Sequence, residues 1–67
     1  MGGQVQTFYV IKRDEEPRYW GWGWWTRDIN RAYQGDESLM TYQLSSLISN
    51  HPTARIVKIE LREVDGE

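Results

Sequence analysis

Apolar and polar positions along this chain predict a strand near each end and a helix before the last strand. Residues 5–12 favour a strand, and the four residues 8–11 at its centre are all apolar. A strand with one covered face shows alternation, so this uninterrupted run predicts that both faces of the strand are covered. Residues 55–63 alternate cleanly between apolar and charged side chains, which predicts a half-buried strand.

A helix is predicted between residue 37 and about residue 50. Asp36 follows a break at Gln34-Gly35 and is a residue type that caps helix N-termini. His51 precedes a proline, and a residue in that position avoids the helical region. Four apolar residues have the i, i+4, i+7, i+8 spacing of one helix face, namely Met40, Leu44, Leu47 and Ile48.

A β-hairpin is predicted to link residues 5–12 to a strand that contains every tryptophan of the chain. Residues 13–17 are polar and end in proline, which is typical of a hairpin connection. Residues 19–25 read Tyr-Trp-Gly-Trp-Gly-Trp-Trp. The two-residue period of a strand would place Trp20, Trp22 and Trp24 in one row on one face. The glycines would leave the other face open to close approach.

These elements predict an α+β fold made of a β-hairpin, a linker with a turn or a very short element, a helix and a final strand. If the last strand lies beside the first, the helix packs on one face of a small, mostly antiparallel sheet. The 67 residues make a single domain, with residues 1–4 and 65–67 expected to be flexible ends. One helix covers only one sheet face, so we expect a homodimer or another small oligomer.

The residue inventory argues against catalysis and against a metal or cofactor. The chain has no cysteine and a single histidine, which excludes disulfides and leaves no cluster for zinc. The acidic pairs lack the spacing of a calcium loop, and no nucleophile motif or phosphate-binding loop is present. We therefore expect a protein that is not an enzyme, with no catalytic residue, metal or cofactor.

No apolar run approaches the roughly 18 residues that a membrane span needs, and the N-terminus lacks the pattern of a signal peptide. We expect no membrane partner and a cytoplasmic location. The net charge of -2 argues against a general DNA-coating protein, because such proteins neutralise many phosphates.

The candidate binding residues are the predicted tryptophan row and the basic residues around it. They are Trp20, Trp22, Trp24, Arg18, Arg27, Arg31 and Lys12. One interpretation is that all four tryptophans are core or dimer-interface residues, since each buries about 150 to 250 Å². The other is that one or more stack on a planar ligand while the basic side chains bind its phosphate.

Several short stretches carry a resemblance to a known group of proteins. They are Tyr9-Val10-Ile11-Lys12, Arg18-Tyr19-Trp20, Trp25-Thr26-Arg27-Asp28-Ile29, Ala32-Tyr33 and Ile56-Val57-Lys58-Ile59. Together they resemble short proteins of tailed phages and prophages that share a hairpin, a W-T-x-D turn, one helix and a final strand. The resemblance covers residues 9–64 and implies that fold and the cytoplasm of a bacterial host. It implies no catalytic or binding residues. The Gly-Trp-Gly insertion before Trp25 departs from the pattern, so a particular function would lie there.

Three classes of function follow. The first is a phage-type accessory protein that docks on a host protein through an aromatic and arginine surface, as an inhibitor or counter-defence factor. The second is a nucleotide or single-stranded nucleic-acid binder that sequesters its ligand by tryptophan stacking. The third is a structural or assembly component. The first is favoured because a negative net charge disfavours polyanions more than proteins.

Overall fold

One helix packs against a four-stranded antiparallel sheet, which confirms the predicted α+β class. The strands are β1 (Val5–Lys12), β2 (Tyr19–Trp20), β3 (Trp25–Thr26) and β4 (Arg55–Arg62), and the helix is α1 (Glu37–Leu47). A 3₁₀ helix spans Ile29–Arg31. This computed structural model describes residues 5–62. The predicted flexible ends and the last residue of the predicted final strand, Glu63, lie outside the described residues.

The first and last strands pair along their whole length, and the sheet order is β3-β2-β1-β4. The register runs from Val5 opposite Arg62 to Lys12 opposite Arg55. The prediction that the last strand lies beside the first is therefore confirmed. The long strand β1 is central, because it pairs with β2 on one side and with β4 on the other.

Both faces of β1 are covered at its centre, as the continuous apolar run predicts. Val10 and Ile11 are adjacent and both are fully buried. Ile11 belongs to the core cluster formed with Trp20, Met40 and Ala54. Since neighbouring strand residues point to opposite faces, Val10 is buried on the face away from this cluster. Burial of each such side chain stabilises the fold by about 1.5 to 3 kcal/mol.

The helix begins where the sequence predicts. The Asp36 carboxylate accepts a hydrogen bond from the Leu39 N–H at 2.8 Å, which satisfies an otherwise unpaired donor of the first turn. The helix ends three residues earlier than predicted. The Leu47 carbonyl accepts from both the Asn50 N–H at 3.1 Å and the His51 N–H at 2.9 Å, so the chain tightens into a turn there.

Most residues of the predicted helix face pack against the sheet. Met40 is fully buried, and Leu44 and Leu47 pack against the core cluster. Leu39 also packs there, although it is outside the predicted face. Ile48, the last residue of the predicted face, is the C-cap of the helix and is exposed.

The tryptophan segment is a tight hairpin, so the prediction of one strand with a row of indoles is wrong. Trp20 pairs with Trp25, and the Gly21 N–H donates to the Trp24 carbonyl at 2.7 Å. The two residues between have φ angles of 77° for Trp22 and 85° for Gly23. Positive φ at both central positions is the backbone conformation that type I′ hairpin turns require, and the twist of such turns matches that of the flanking strands. The chain reverses between the tryptophans instead of aligning them.

The Trp-Thr-x-Asp stretch is a capped turn that starts the 3₁₀ helix. The Thr26 hydroxyl accepts from the Asp28 N–H at 3.1 Å, and the Asp28 carboxylate accepts from the Asn30 N–H at 2.9 Å. Short polar side chains form such local bonds with the backbone. Thr26 and Asp28 therefore have a structural role, because their side chains stabilise the turn that leads the chain from β3 back to the sheet.

Candidate functional site

The two exposed tryptophans lie at the tip of the β2–β3 hairpin. Trp22 is 51% exposed and Trp24 is 48% exposed, and we call this pair the indole tip. Trp20 is buried in the core cluster, and Trp25 is half-buried against it. The tryptophans thus divide into two that support the core and two that face outward. Within one chain, Trp20 and Trp25 are core residues and the other two are not; that Trp22 and Trp24 are dimer-interface residues stays a prediction.

Trp22 rests on a base of two other aromatic rings. Its centroid lies 4.6 Å from that of Tyr33 and 5.3 Å from that of Trp20. Tyr33 itself meets Trp20 edge-on at 5.9 Å, and its N–H donates to the Trp20 carbonyl at 2.8 Å. Tilted and edge-on pairs contribute about 0.5 to 1.5 kcal/mol beyond burial. Trp22 is therefore held in position although half of its surface is open.

Trp24 lies across the backbone of Gly21. A Cβ atom at Gly21 would come within 2.9 Å of the Trp24 six-membered ring, so only glycine leaves room for the indole. These two residues pair across the hairpin, one position beyond the Trp20–Trp25 pair. Side chains alternate between faces, so Trp24 lies on the face opposite Trp20. Packing of an aromatic ring over a cross-strand glycine is a known stabilising device.

The turn that carries Trp22 is conformationally costly. A φ of 77° is in the left-handed region, which bulky L-residues avoid. The expected cost is about 1 to 2 kcal/mol, and the residues that type I′ turns prefer at this position are Asn, Asp and Gly. Burial in the core does not explain a tryptophan at this position, because about half of the side chain remains exposed.

Arg18 and Arg27 lie at the open end of the hairpin, away from the indole tip. The Glu16 carboxylate pairs with both, at 2.8 Å from Arg18 Nε and 3.8 Å from Arg27 Nε. In the register of β2 and β3, Arg18 is four residue steps from Trp22 and Arg27 is three steps from Trp24, about 13 Å and about 10 Å of extended chain. The predicted combination of tryptophan rings with these two arginines is therefore not assembled.

The remaining basic candidates are also dispersed. Lys12 pairs with Tyr19 across β1 and β2, and its Nζ lies 5.6 Å from the Tyr19 ring centroid. Arg31 is exposed at the end of the 3₁₀ helix. Of the seven candidates, the structure brings Trp20 and Trp22 into contact.

A second cluster, which the sequence did not indicate, surrounds Trp25. The Arg13 guanidinium lies over the indole with Cζ 4.0 Å from its centroid, and the His51 ring centroid is 4.8 Å from the indole centroid. Arg13 Nη1 donates to His51 Nδ1 at 3.1 Å, and its Nε donates to the Pro17 carbonyl at 2.9 Å. The His51 backbone N–H binds a carbonyl at the helix end, while its ring packs in this cluster. Nothing in local sequence spacing links residues 38 positions apart.

Polar side chains beside this cluster join the β1–β2 loop to the start of β4. The Thr53 hydroxyl accepts from the Asp14 N–H at 3.0 Å and donates to Glu15 Oε1 at 2.8 Å. Arg55 Nη1 donates to Asp14 Oδ1 at 2.9 Å. The Thr53 hydrogen bond lowers the pKa of Glu15 below its ordinary value, because it stabilises the carboxylate. The pairs are exposed and hold two loops together, so their role is structural.

Within residues 5–62, no three His, Asp or Glu side chains are grouped so that they could hold a metal ion. No helix in the same range is long and apolar enough to cross a membrane. Comparisons of the chain with known protein families, curated proteins and solved structures found no match. The resemblance to phage proteins stays a prediction.

Proposed function

We propose that this protein is a non-enzymatic binding module that docks on another protein through the indole tip. The observation that carries the proposal is the position of Trp22, a half-exposed indole at φ 77° in the turn of the β2–β3 hairpin. Asparagine or glycine would form the same turn at lower cost. Backbone strain of this kind persists where the surrounding structure enforces it, and it concentrates at functional sites.

The form of the tip suits a protein groove. Tryptophan is among the residues most enriched at the energetic centres of protein interfaces, where it fills pockets of the partner. The Trp20–Tyr33 base and the bare Gly21 backbone hold the two indoles in position before binding. Such preorganisation reduces the entropy lost on association. The two rings lie on opposite sides of a narrow hairpin, so the partner encloses the tip.

In the phage setting that the sequence resemblance implies, the partner is a host protein in the bacterial cytoplasm. The module then acts as an inhibitor or a counter-defence factor. As a structural or assembly component, it would bind another phage protein through the same tip.

The nucleotide alternative has weaker support from the geometry. A stacked nucleotide needs a ring and a phosphate-binding cation at one place. Arg18 and Arg27 share the Glu16 carboxylate at the other end of the hairpin. Lys12 is directed to the Tyr19 ring. This arrangement favours a protein partner over a nucleotide.

The test is capture from a bacterial host lysate by the immobilised protein, by Trp22→Asn and by Tyr42→Ala. The Trp22→Asn change keeps the turn, because Asn-Gly is a preferred type I′ pair, while it removes the indole. Tyr42 is a matched control, since it is a 73% exposed aromatic residue on α1. We expect one partner to be retained by the parent and by Tyr42→Ala and lost with Trp22→Asn. A hot-spot loss of about 2 kcal/mol corresponds to about 30-fold weaker binding.

A partner that binds Trp22→Asn and the parent equally would exclude the indole tip as the docking site. Mono-, di- and cyclic nucleotides and short oligonucleotides provide the second arm, read by tryptophan fluorescence and melting temperature. A nucleotide response that Trp22→Asn abolishes would show that the indole tip binds nucleotides, as the alternative function states.

A further inference from the structure

Strand β4 forms one edge of the sheet, and its outer side has no strand beside it within residues 5–62. The strand is eight residues long and pairs with β1 over its full length. An edge of that length presents a row of backbone donors and acceptors to any second strand that approaches. The edge is on the opposite side of the sheet from the indole tip, which belongs to β2–β3.

The backbone alternation identifies which groups face outward. Tyr9 exchanges both of its backbone hydrogen bonds with Gly35, on the side of β1 away from β4. The neighbouring β1 residue Val10 therefore directs its groups to β4, where it pairs with Val57. It follows that Val57 and Ile59 bond to β1, whereas Lys58 and Glu60 direct their N–H and C=O groups outward.

The outer half of the β1–β4 pair is a two-stranded ribbon. Residues 5–8 of β1, which precede the Tyr9–Gly35 bridge, have β4 as their strand partner among the described residues. Val5 and Leu61 are about half exposed there. A two-stranded ribbon with exposed apolar side chains is marginally stable alone, so a further strand would stabilise it.

We propose that β4 is a dimerisation edge, at which the β4 strand of a second copy pairs antiparallel about a two-fold axis through Ile59. In this register Lys58 lies opposite Glu60 of the partner subunit and Glu60 lies opposite Lys58 of the partner subunit. Both are positions with outward-facing backbone groups, so each pair exchanges two hydrogen bonds. The two four-stranded sheets then form one continuous sheet of eight strands.

Charge complementarity favours this register over the two registers in which the axis is shifted by one residue. Lys58 and Glu60 share the helix side of β4, and both are more than half exposed, with Nζ 3.5 Å from Oε2. A shift of the two-fold axis by one residue places either two lysines or two glutamates directly opposite each other. Like charges in directly opposed positions destabilise a strand pair, and opposite charges stabilise it. The alternation therefore permits the Ile59-centred pairing and penalises its neighbours.

The other face of the new pair is apolar. Val57, Ile59 and Leu61 alternate with the charged residues and lie on the face away from the helix. Around the two-fold axis, Ile59 meets its own copy and Val57 meets Leu61 of the partner subunit. Phe8 pairs with Ile59 within each chain, which extends the apolar stripe across four strands. The half-exposed Leu61 side chain becomes covered in the dimer.

The first experiment is sedimentation of the full chain across a wide concentration range, with Lys58→Glu, Glu60→Lys and the double variant that exchanges the two charges. Each single change places like charges opposite each other twice per dimer and should weaken dimerisation by about tenfold or more. The double variant restores both pairs and should recover dimerisation. Arg31→Glu makes the same change in net charge away from β4 as Lys58→Glu and should have no comparable effect.

The second experiment is concentration-dependent amide exchange of the unmodified protein. The Lys58 and Glu60 amides should exchange quickly in dilute solution and become protected as the dimer forms. The Val57 and Ile59 amides should be protected at every concentration, because they bond to β1. A monomer at millimolar concentration, a double variant as weak as the single variants, or unprotected Lys58 and Glu60 amides in a dimer would each overturn the proposal.

Discussion

The guanidinium of Arg13 lies over the indole of Trp25, with Cζ 4.0 Å from the ring centroid. Arg13 follows β1 and Trp25 begins β3, so the contact connects two segments that have β2 between them in the sheet. The arginine also donates to His51 and to the Pro17 carbonyl. One side chain thereby joins the β1–β2 loop, β3 and the end of the helical segment.

We predict that Arg13→Ala lowers the free energy of unfolding by about 1 to 3 kcal/mol, because it removes a partly buried cation–π contact and the hydrogen bonds together. Arg13→Lys should recover only part of the loss, since an ammonium lacks the planar fork of donors. Urea unfolding measures both. Arg31→Ala is the control and should stay within about 0.5 kcal/mol of the parent. Equal stability of Arg13→Ala and the parent would contradict a structural role for this cluster.

The helix contact predicts a sharp contrast between two positions on α1. Met40→Ala removes a fully buried side chain and should cost about 2 to 5 kcal/mol, comparable with the total stability of so small a domain. Leu44→Ala should fall toward the lower end of that range, because Leu44 is only partly buried. Tyr42→Ala, on the exposed side, should have little effect. Thermal melting followed by circular dichroism distinguishes these cases, and a Met40→Ala variant that melts with the parent would refute the packing.

Gly21→Ala is expected to displace the Trp24 ring without unfolding the domain. The new Cβ would meet atoms at the far end of the indole at 2.9 to 3.0 Å, and that ring can rotate away. The melting temperature should change little, while the Trp24 environment changes in fluorescence and in NMR ring-proton shifts. Gly23→Ala is the contrasting variant, because its φ of 85° makes any side chain costly in otherwise open space. If Gly21→Ala leaves the Trp24 shifts unchanged, the ring does not lie on Gly21.

The Thr53–Glu15 hydrogen bond predicts a titration effect. The folded state holds the pKa of Glu15 below its ordinary value, so the folded protein binds that proton less readily than the unfolded chain. The resulting stabilisation is present above the ordinary value and is lost as the pH falls through the lower folded pKa. Thr53→Val should raise the pKa of Glu15 toward its ordinary value, and Thr53→Ser should not. NMR titration of the Glu15 carboxyl measures the difference, and an unchanged pKa in Thr53→Val would assign the shift to another cause.

Local patterns determined β1, β4 and the start of the helix. The β1 bounds, the Asp36 cap and the Met40 face follow from periods of two and 3.6 residues and from short-range capping, which depend on neighbours in the chain. The burial of both Val10 and Ile11 was likewise visible as an unbroken apolar run.

Only the tertiary structure decided what the tryptophan segment does. Its alternating glycines fit a strand as well as a turn, and a turn could have formed at more than one Trp-Gly step. The choice came from distant contacts, because Trp20 enters the core with Met40 and Tyr33 supports Trp22. Arg13 and His51 meet for the same reason, since the full-length β1–β4 pairing brings their segments together. Contacts between residues far apart in the chain depend on the whole packing arrangement, which no local period encodes.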